Sequence, residues 1–235
     1  MKNLKILFPL SLLLIFGNLH SQEIKSSLNK KISKTKQISY ILDYPANAKG
    51  KVPLMVFLHG SGERGNDLEK VKVNGPFQYK NLIPEPVAIL APQCPAGEWW
   101  DTEAIYYLIK EIQQKYRIDD SKIILTGLSM GGWGTLKLAM EHPEVFSAVV
   151  PVCPPVDRLM KVRAAQYSEL PMKIYHGAND DIVSPMNSIE IYQEIRKTNK
   201  NVELILFPNA NHNSWDSTYS DPKLYEWMLA QSKKK

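Results

Sequence analysis

The stretch KIILTGLSMGGWG, residues 122–134, decides the fold. It opens on an apolar run, passes through Gly127-Leu128-Ser129-Met130-Gly131, and continues into a helical segment that Pro143 stops. A serine with glycine two positions to either side, between a strand and a helix, fits a sharp turn that only small neighbours allow. Such a turn lifts the hydroxyl to the end of a sheet and aims the first amides of the helix at it. The five-residue pattern alone arises often by chance. Its place between a buried strand and a helix gives it weight, against the plainer reading of a glycine-rich structural turn.

Outward from this turn the chain alternates apolar runs with amphipathic segments. Residues 37–45, 53–60, 87–93, 146–153, 172–177 and 202–208 read as further strands. Residues 101–118 place Ile105, Leu108, Ile109 and Ile112 on one helical face, and helices are expected near 186–197 and 222–231. Continuous apolar strands separated by helices imply a mostly parallel sheet covered on both faces. Functional groups in such sheets gather beyond the C-terminal strand ends.

The 235 residues suffice for one well-buried domain. Lys2 and Lys5 precede an apolar run over 6–16, followed by small and polar residues to Ser21. This reads as a secretory signal peptide over 1–21, with the catalytic domain over 22–235 and a secreted or periplasmic location. The run is short for a membrane span, and no cysteine follows it to carry a lipid, so no stable membrane anchor is expected. The formal charge of +5 lies largely in lysines at 25–36 and 233–235, a solvated surface without the interleaved aromatics of a nucleic-acid platform. No nucleic-acid partner is expected. Cys94 and Cys153 each follow a buried strand, and two free or buried thiols are favoured over a bridge. The oligomeric state is left open.

A serine hydroxyl needs a base. Of the five histidines, His20 falls in the signal, His59 ends an early strand, His142 ends a helix and His176 precedes the candidate acid. Only His212, in FPNANHNSWD, follows both Ser129 and a plausible acid, which gives the order Ser, Asp, His. Asp180 and Asp181 both follow the strand over 172–177, and composition does not choose between them. An oxyanion hole would draw one backbone amide from Met130 and one from Ser61 in LHGSGERG; losing one such donor costs roughly a hundred- to a thousand-fold. Glu63 and Arg64 are candidates to brace that loop as an ion pair, with a solvated pair as the alternative.

FLHGSGERG, APQCP with Trp99-Trp100, GLSMGGWG, HGANDDIVSP and HNSWD with YSDPKLYEWML occur in this order over about residues 40–229. Together they resemble the α/β-hydrolase fold. More narrowly they are similar to its small secreted esterases: the phospholipase/carboxylesterase, dienelactone-hydrolase-like and feruloyl/acetyl-xylan esterase group. The resemblance implies a mostly parallel sheet flanked by helices and a Ser-His-Asp carboxylic ester hydrolase that needs no metal or organic cofactor. The family spacing H-G-x-x-D-x-x-V falls on His176, Gly177, Asp180 and Val183 and selects Asp180 over Asp181. Many relatives carry proline directly after this valine; here Ser184 intervenes before Pro185. The roughly twenty residues between the strands over 146–153 and 172–177 leave no room for a substantial lid domain. An open cleft suits small-molecule or polymer-attached esters. Trp99, Trp100, Trp133 and Trp215 are candidates to line it, Trp99 and Trp133 foremost; core packing is the plainer role for each. A serine peptidase on the same fold, or a non-catalytic binding protein, stands behind the esterase reading.

Overall fold

The structure is a computed structural model and describes residues 35–46 and 48–233. The expected signal segment lies outside the described residues.

Seven strands form one sheet in the order β1-β3-β2-β4-β5-β6-β7. They are β1 (Tyr40–Asp43), β2 (Val52–Leu58), β3 (Ala88–Pro92), β4 (Ile118–Leu128), β5 (Ala148–Val152), β6 (Met172–Gly177) and β7 (Val202–Phe207). β1 pairs antiparallel with β3, and every other pairing is parallel. Alternation along β2 shows why its sequence is apolar throughout. Leu54, Val56 and Leu58 face one packed layer, Met55 and Phe57 the other. Each such side chain contributes about 1.5–3 kcal/mol by leaving water.

Helices α1 (Thr102–Lys115), α2 (Met130–Glu141) and α4 (Met186–Arg196) cover the first face with Ile105, Ile109, Leu136, Leu138, Ile191 and Ile195. Helices α5 (Ser214–Tyr219) and α6 (Pro222–Ala230) cover the second with Tyr219, Leu224, Tyr225 and Met228. The Asp101 side chain accepts from the Ala104 amide and so starts α1 where the apolar periodicity begins. α3 (Arg158–Val162) and a 3-10 turn (Ala164–Tyr167) fill the connection from β5 to β6. That connection therefore holds no lid domain, as its length implied. Neither this short helix nor α5 carried a sequence signal strong enough to predict it.

The chain steps from β2 out to β3, then crosses back to β4 on the other side of β2. A crevice opens at the C-terminal ends of the strands where such an order reverses. Ser129 follows the end of β4 at that point. No described helix is long and apolar enough to cross a membrane.

Candidate active site

Ser129 is the residue between β4 and α2, and its backbone takes φ 52° and ψ −118°. That left-handed region is costly for a residue with a side chain, on the order of 1–3 kcal/mol. Its amide donates to Val152 O at 2.9 Å, and its carbonyl accepts from Trp133 N at 3.1 Å, so the turn is bonded on both sides. Gly131 shows how close the elements come. A Cβ there would lie 1.9 Å from Leu58 O and 2.6 Å from His59 O, both backbone. The glycines of the motif thus let α2 begin directly against the end of β2.

His212, in the loop after β7, brings Nε2 to 2.9 Å from Ser129 Oγ and Nδ1 to 2.7 Å from Asp180 Oδ2. An ionised carboxylate only accepts, so Nδ1 carries the ring proton and Nε2 is left to accept from the serine hydroxyl. Asp180 Oδ1 accepts from the amides of Ile182 at 3.0 Å and Val183 at 2.8 Å. Burial alone would push the Asp180 carboxyl up. The His212 hydrogen bond and the two amides outweigh it and hold the group below its usual value. Asp180 is buried while Asp181 is exposed, and only Asp180 reaches His212. The structure thus brings Ser129, His212 and Asp180 into one hydrogen-bonded run. Trp215 packs edge-on against the His212 ring, with centroids 5.4 Å apart.

Ser61 opens a 3-10 turn (Ser61–Glu63) after β2, and Met130 is the first residue of α2. A first helical residue has no intrahelical partner for its amide. The Ser61 loop lies beside the serine turn: a Cβ on Gly60 would come 2.9 Å from Leu128 Cδ1. The loop is tied to residues 93–100. Gln93 Nε2 donates to Glu63 O at 2.9 Å and Asp67 O at 2.7 Å, and Gly65 N donates to Cys94 O at 3.0 Å. His59 is fully buried; its Nε2 accepts from Cys94 N at 3.0 Å, which leaves Nδ1–H to donate to Gly60 O at 2.6 Å. Glu63 and Arg64, offered by the sequence as a bracing or a solvated pair, do not pair with each other. Arg64 instead donates to the carbonyls of Ser61 at 3.0 Å and Glu98 at 3.1 Å, while Glu63 Oε1 accepts from Asn74 at 2.8 Å. The guanidinium takes two backbone carbonyls in place of the neighbouring carboxylate.

The tryptophans divide. Trp100 is buried in the core, its Nε1 donating to His59 O at 3.3 Å. Trp99 is 54% exposed and meets Trp133 edge-to-face, with ring centroids 5.1 Å apart. Trp133 Nε1 is held by Asp157 Oδ2 at 3.1 Å. Cys94 and Cys153 are free and buried, and β2 and β4 separate the strands that precede them. Burial pushes the Cys153 thiol up to about 12, against the pull of the Ser129 backbone and the Ser214 hydroxyl. Cys153 is, among the described residues, the second non-glycine residue at positive φ, 39°. Its Sγ belongs to a group of possible metal donors with Asp180 and His212, whose atoms lie within 4.8 Å of one another. A cation shared by these groups would have to displace the proton between His212 and Asp180.

Sequence reasoning set His59 and His176 aside as bases without giving either ring a role, and gave Gln93 none. A signal was present: β2 runs into His59-Gly60 and β6 ends on His176-Gly177, so an apolar strand closes on His-Gly twice.

The dienelactone hydrolase family model matches residues 102–221, just over half of the 235-residue chain. The chain is 26% identical over 172 residues to a bifunctional acetylxylan esterase/xylanase, XynS20E, of Neocallimastix patriciarum, covering 67% of this chain and 22% of that protein. Among solved structures it is similar to a thermostable esterase at 30% identity and TM-score 0.73, covering 83% of this chain and 59% of that one. It shares its fold with Est1E of Butyrivibrio proteoclasticus, solved with ferulic acid, at 19% identity and TM-score 0.63, covering 83% and 95% of the two chains. The chain thus spans about a fifth of the curated relative and little more than half of the thermostable esterase. With the sheet order, the serine turn and the family match in agreement, the chain belongs to the dienelactone hydrolase family and has the α/β-hydrolase fold.

Proposed function

We propose that this protein is a secreted serine esterase that cleaves carboxylic esters through an acyl-enzyme, on acyl groups linked to polysaccharide. The observation that carries the chemistry is the run Ser129 Oγ, His212 Nε2, His212 Nδ1, Asp180 Oδ2, at 2.9 and 2.7 Å. Ser129 Oγ attacks the ester carbonyl as its proton passes to His212 Nε2. Asp180 holds the imidazole in the tautomer that accepts this proton and stabilises the imidazolium. The amides of Ser61 and Met130 stabilise the tetrahedral oxyanion. The C–O bond to the alcohol breaks as His212 returns the proton to the leaving oxygen. Water then attacks the acyl-enzyme with His212 again as base, releasing the acid and restoring Ser129.

The substrate class draws on weaker support. The Trp99–Trp133 pair offers an exposed aromatic face suited to flat acyl groups or sugars. One relative pairs acetylxylan esterase with xylanase in its name, and a fold relative was solved with ferulic acid. The leader-like segment over 1–21 supports secretion.

Ser129→Ala should abolish turnover of a p-nitrophenyl ester while the far-ultraviolet dichroism stays that of the wild type. Retained turnover would remove the reading. Acetylated xylan, feruloylated sugars, esters of graded acyl length and peptide substrates, compared on the same preparation, test the substrate class. Preference for peptides would favour a peptidase instead.

A further inference from the structure

Asp180 lies between two imidazoles, and the reaction above uses only one. His176, in β6, is fully buried. Its Nε2 lies 2.9 Å from Val183 O and 3.1 Å from Asp180 Oδ2, and its Nδ1 lies 2.7 Å from Ser188 Oγ of α4. A carbonyl and an ionised carboxylate only accept, so the proton between them belongs to Nε2. It is aligned on the carbonyl, with the carboxylate at its side. A neutral ring then has its lone pair at Nδ1, which the Ser188 hydroxyl fills by donating. This tautomer is the reverse of the one at His212. The two rings meet on the same oxygen, Oδ2, each presenting an N–H.

We propose that His176 is a positioning residue for the ester hydrolysis, a role that rests on the esterase reading above. Its Nε2–H holds the 180–183 turn so that Asp180 presents Oδ2 to His212, and Ser188 locks the ring in the tautomer that does so. Val183 transmits the constraint, because its carbonyl takes His176 and its amide takes Asp180 Oδ1. Turning the carboxylate would break the two amide bonds to Oδ1 and take Oδ2 from His176 Nε2.

The titratable groups around the ring are Asp180 on its own turn and His212 from the loop after β7, with Cys153 at the end of β5 beyond Asp180. Burial keeps His176 below its usual value against the opposing pull of Val183 O and Asp180, so the ring stays neutral. A histidine that only filled the core would be replaced no better by glutamine than by leucine.

Two measurements test the assignment. In the wild-type protein labelled with 15N-histidine, the His176 ring should show the Nε2–H tautomer at about pH 7. Observing Nδ1–H there overturns the proposal. His176→Leu removes the donor and should lower kcat about 10- to 100-fold per fluorophosphonate-titrated site. KM should stay within about threefold. His176→Gln places an amide N–H near the Nε2 position and should recover most of the rate. Wild-type turnover in His176→Leu, or equal damage in both variants, refutes the role. The tautomer measurement needs no variant to fold. It is also independent of Ser129→Ala, so failure of the esterase reading is seen separately.

Discussion

At the scale of the residue, Asp180 is solvated by protein in place of water. Two amides hold Oδ1 and two imidazoles border Oδ2. Fully buried polar groups of this kind make stability depend on pH. Burial pushes both His59 and His176 below the ordinary 6.5, only partly offset by the carbonyls of Gly60 and Val183. As pH falls through 6.5, each takes up a proton in the unfolded chain while the folded one stays neutral. The unfolded state binds more protons, so stability falls with pH from there down to the folded values, by up to about 1.4 kcal/mol per pH unit for each histidine. Above that window neither contributes. Asp180 acts lower: its contribution is present above 3.8 and is lost as pH falls through its depressed folded value. Urea midpoints at about pH 7, 6 and 5 should therefore decline steadily; a flat series would contradict the burial of neutral histidines. Ser129, His212 and Asp180 were legible because chemistry restricts their types and order. His59 and His176 were not, because a buried histidine and a reactive one look alike until the partners of each nitrogen are known.

At the scale of the element, the serine turn works because two backbones touch. Gly131→Ala puts a methyl group into the carbonyls of Leu58 and His59, and neither is the movable end of a side chain. The start of α2 must shift from β2 and carry the Met130 amide with it. A loss of at least about 2 kcal/mol is expected in chemical denaturation, with a fall in fluorophosphonate-reactive sites. An alanine variant that melted and labelled like the wild type would show the contact to be looser than this. The strands and the longer helices were legible from periodicity, since a sheet covered on both faces demands unbroken apolar runs. The 3-10 turns between β2 and β3 were not. Their course is set by bonds to distant backbone, such as Gln93 to the carbonyls of Glu63 and Asp67. The same competition misled the Glu63–Arg64 pairing, which sequence proximity suggests and the nearby carbonyls prevent.

At the scale of the whole molecule, the sheet order was implied only in outline, as a mostly parallel α/β array. Which strand flanks which follows from long-range pairing, and that is why β2 and β4 come to separate the two thiol-bearing strand ends. The molecule also carries its reactivity as a local debt against its own folding. The left-handed backbone at Ser129 is open to glycine without penalty, whereas a serine there is strained. Ser129→Gly should therefore be inactive and yet melt higher than Ser129→Ala, by a few degrees if about 1 kcal/mol is recovered. Scanning calorimetry of the pair would show it, and equal melting temperatures would mean that the turn is unstrained. The consequence reaches laboratory evolution. Selection for heat resistance alone would tend to discard the serine, so a screen for robust variants of this fold has to demand turnover at every round.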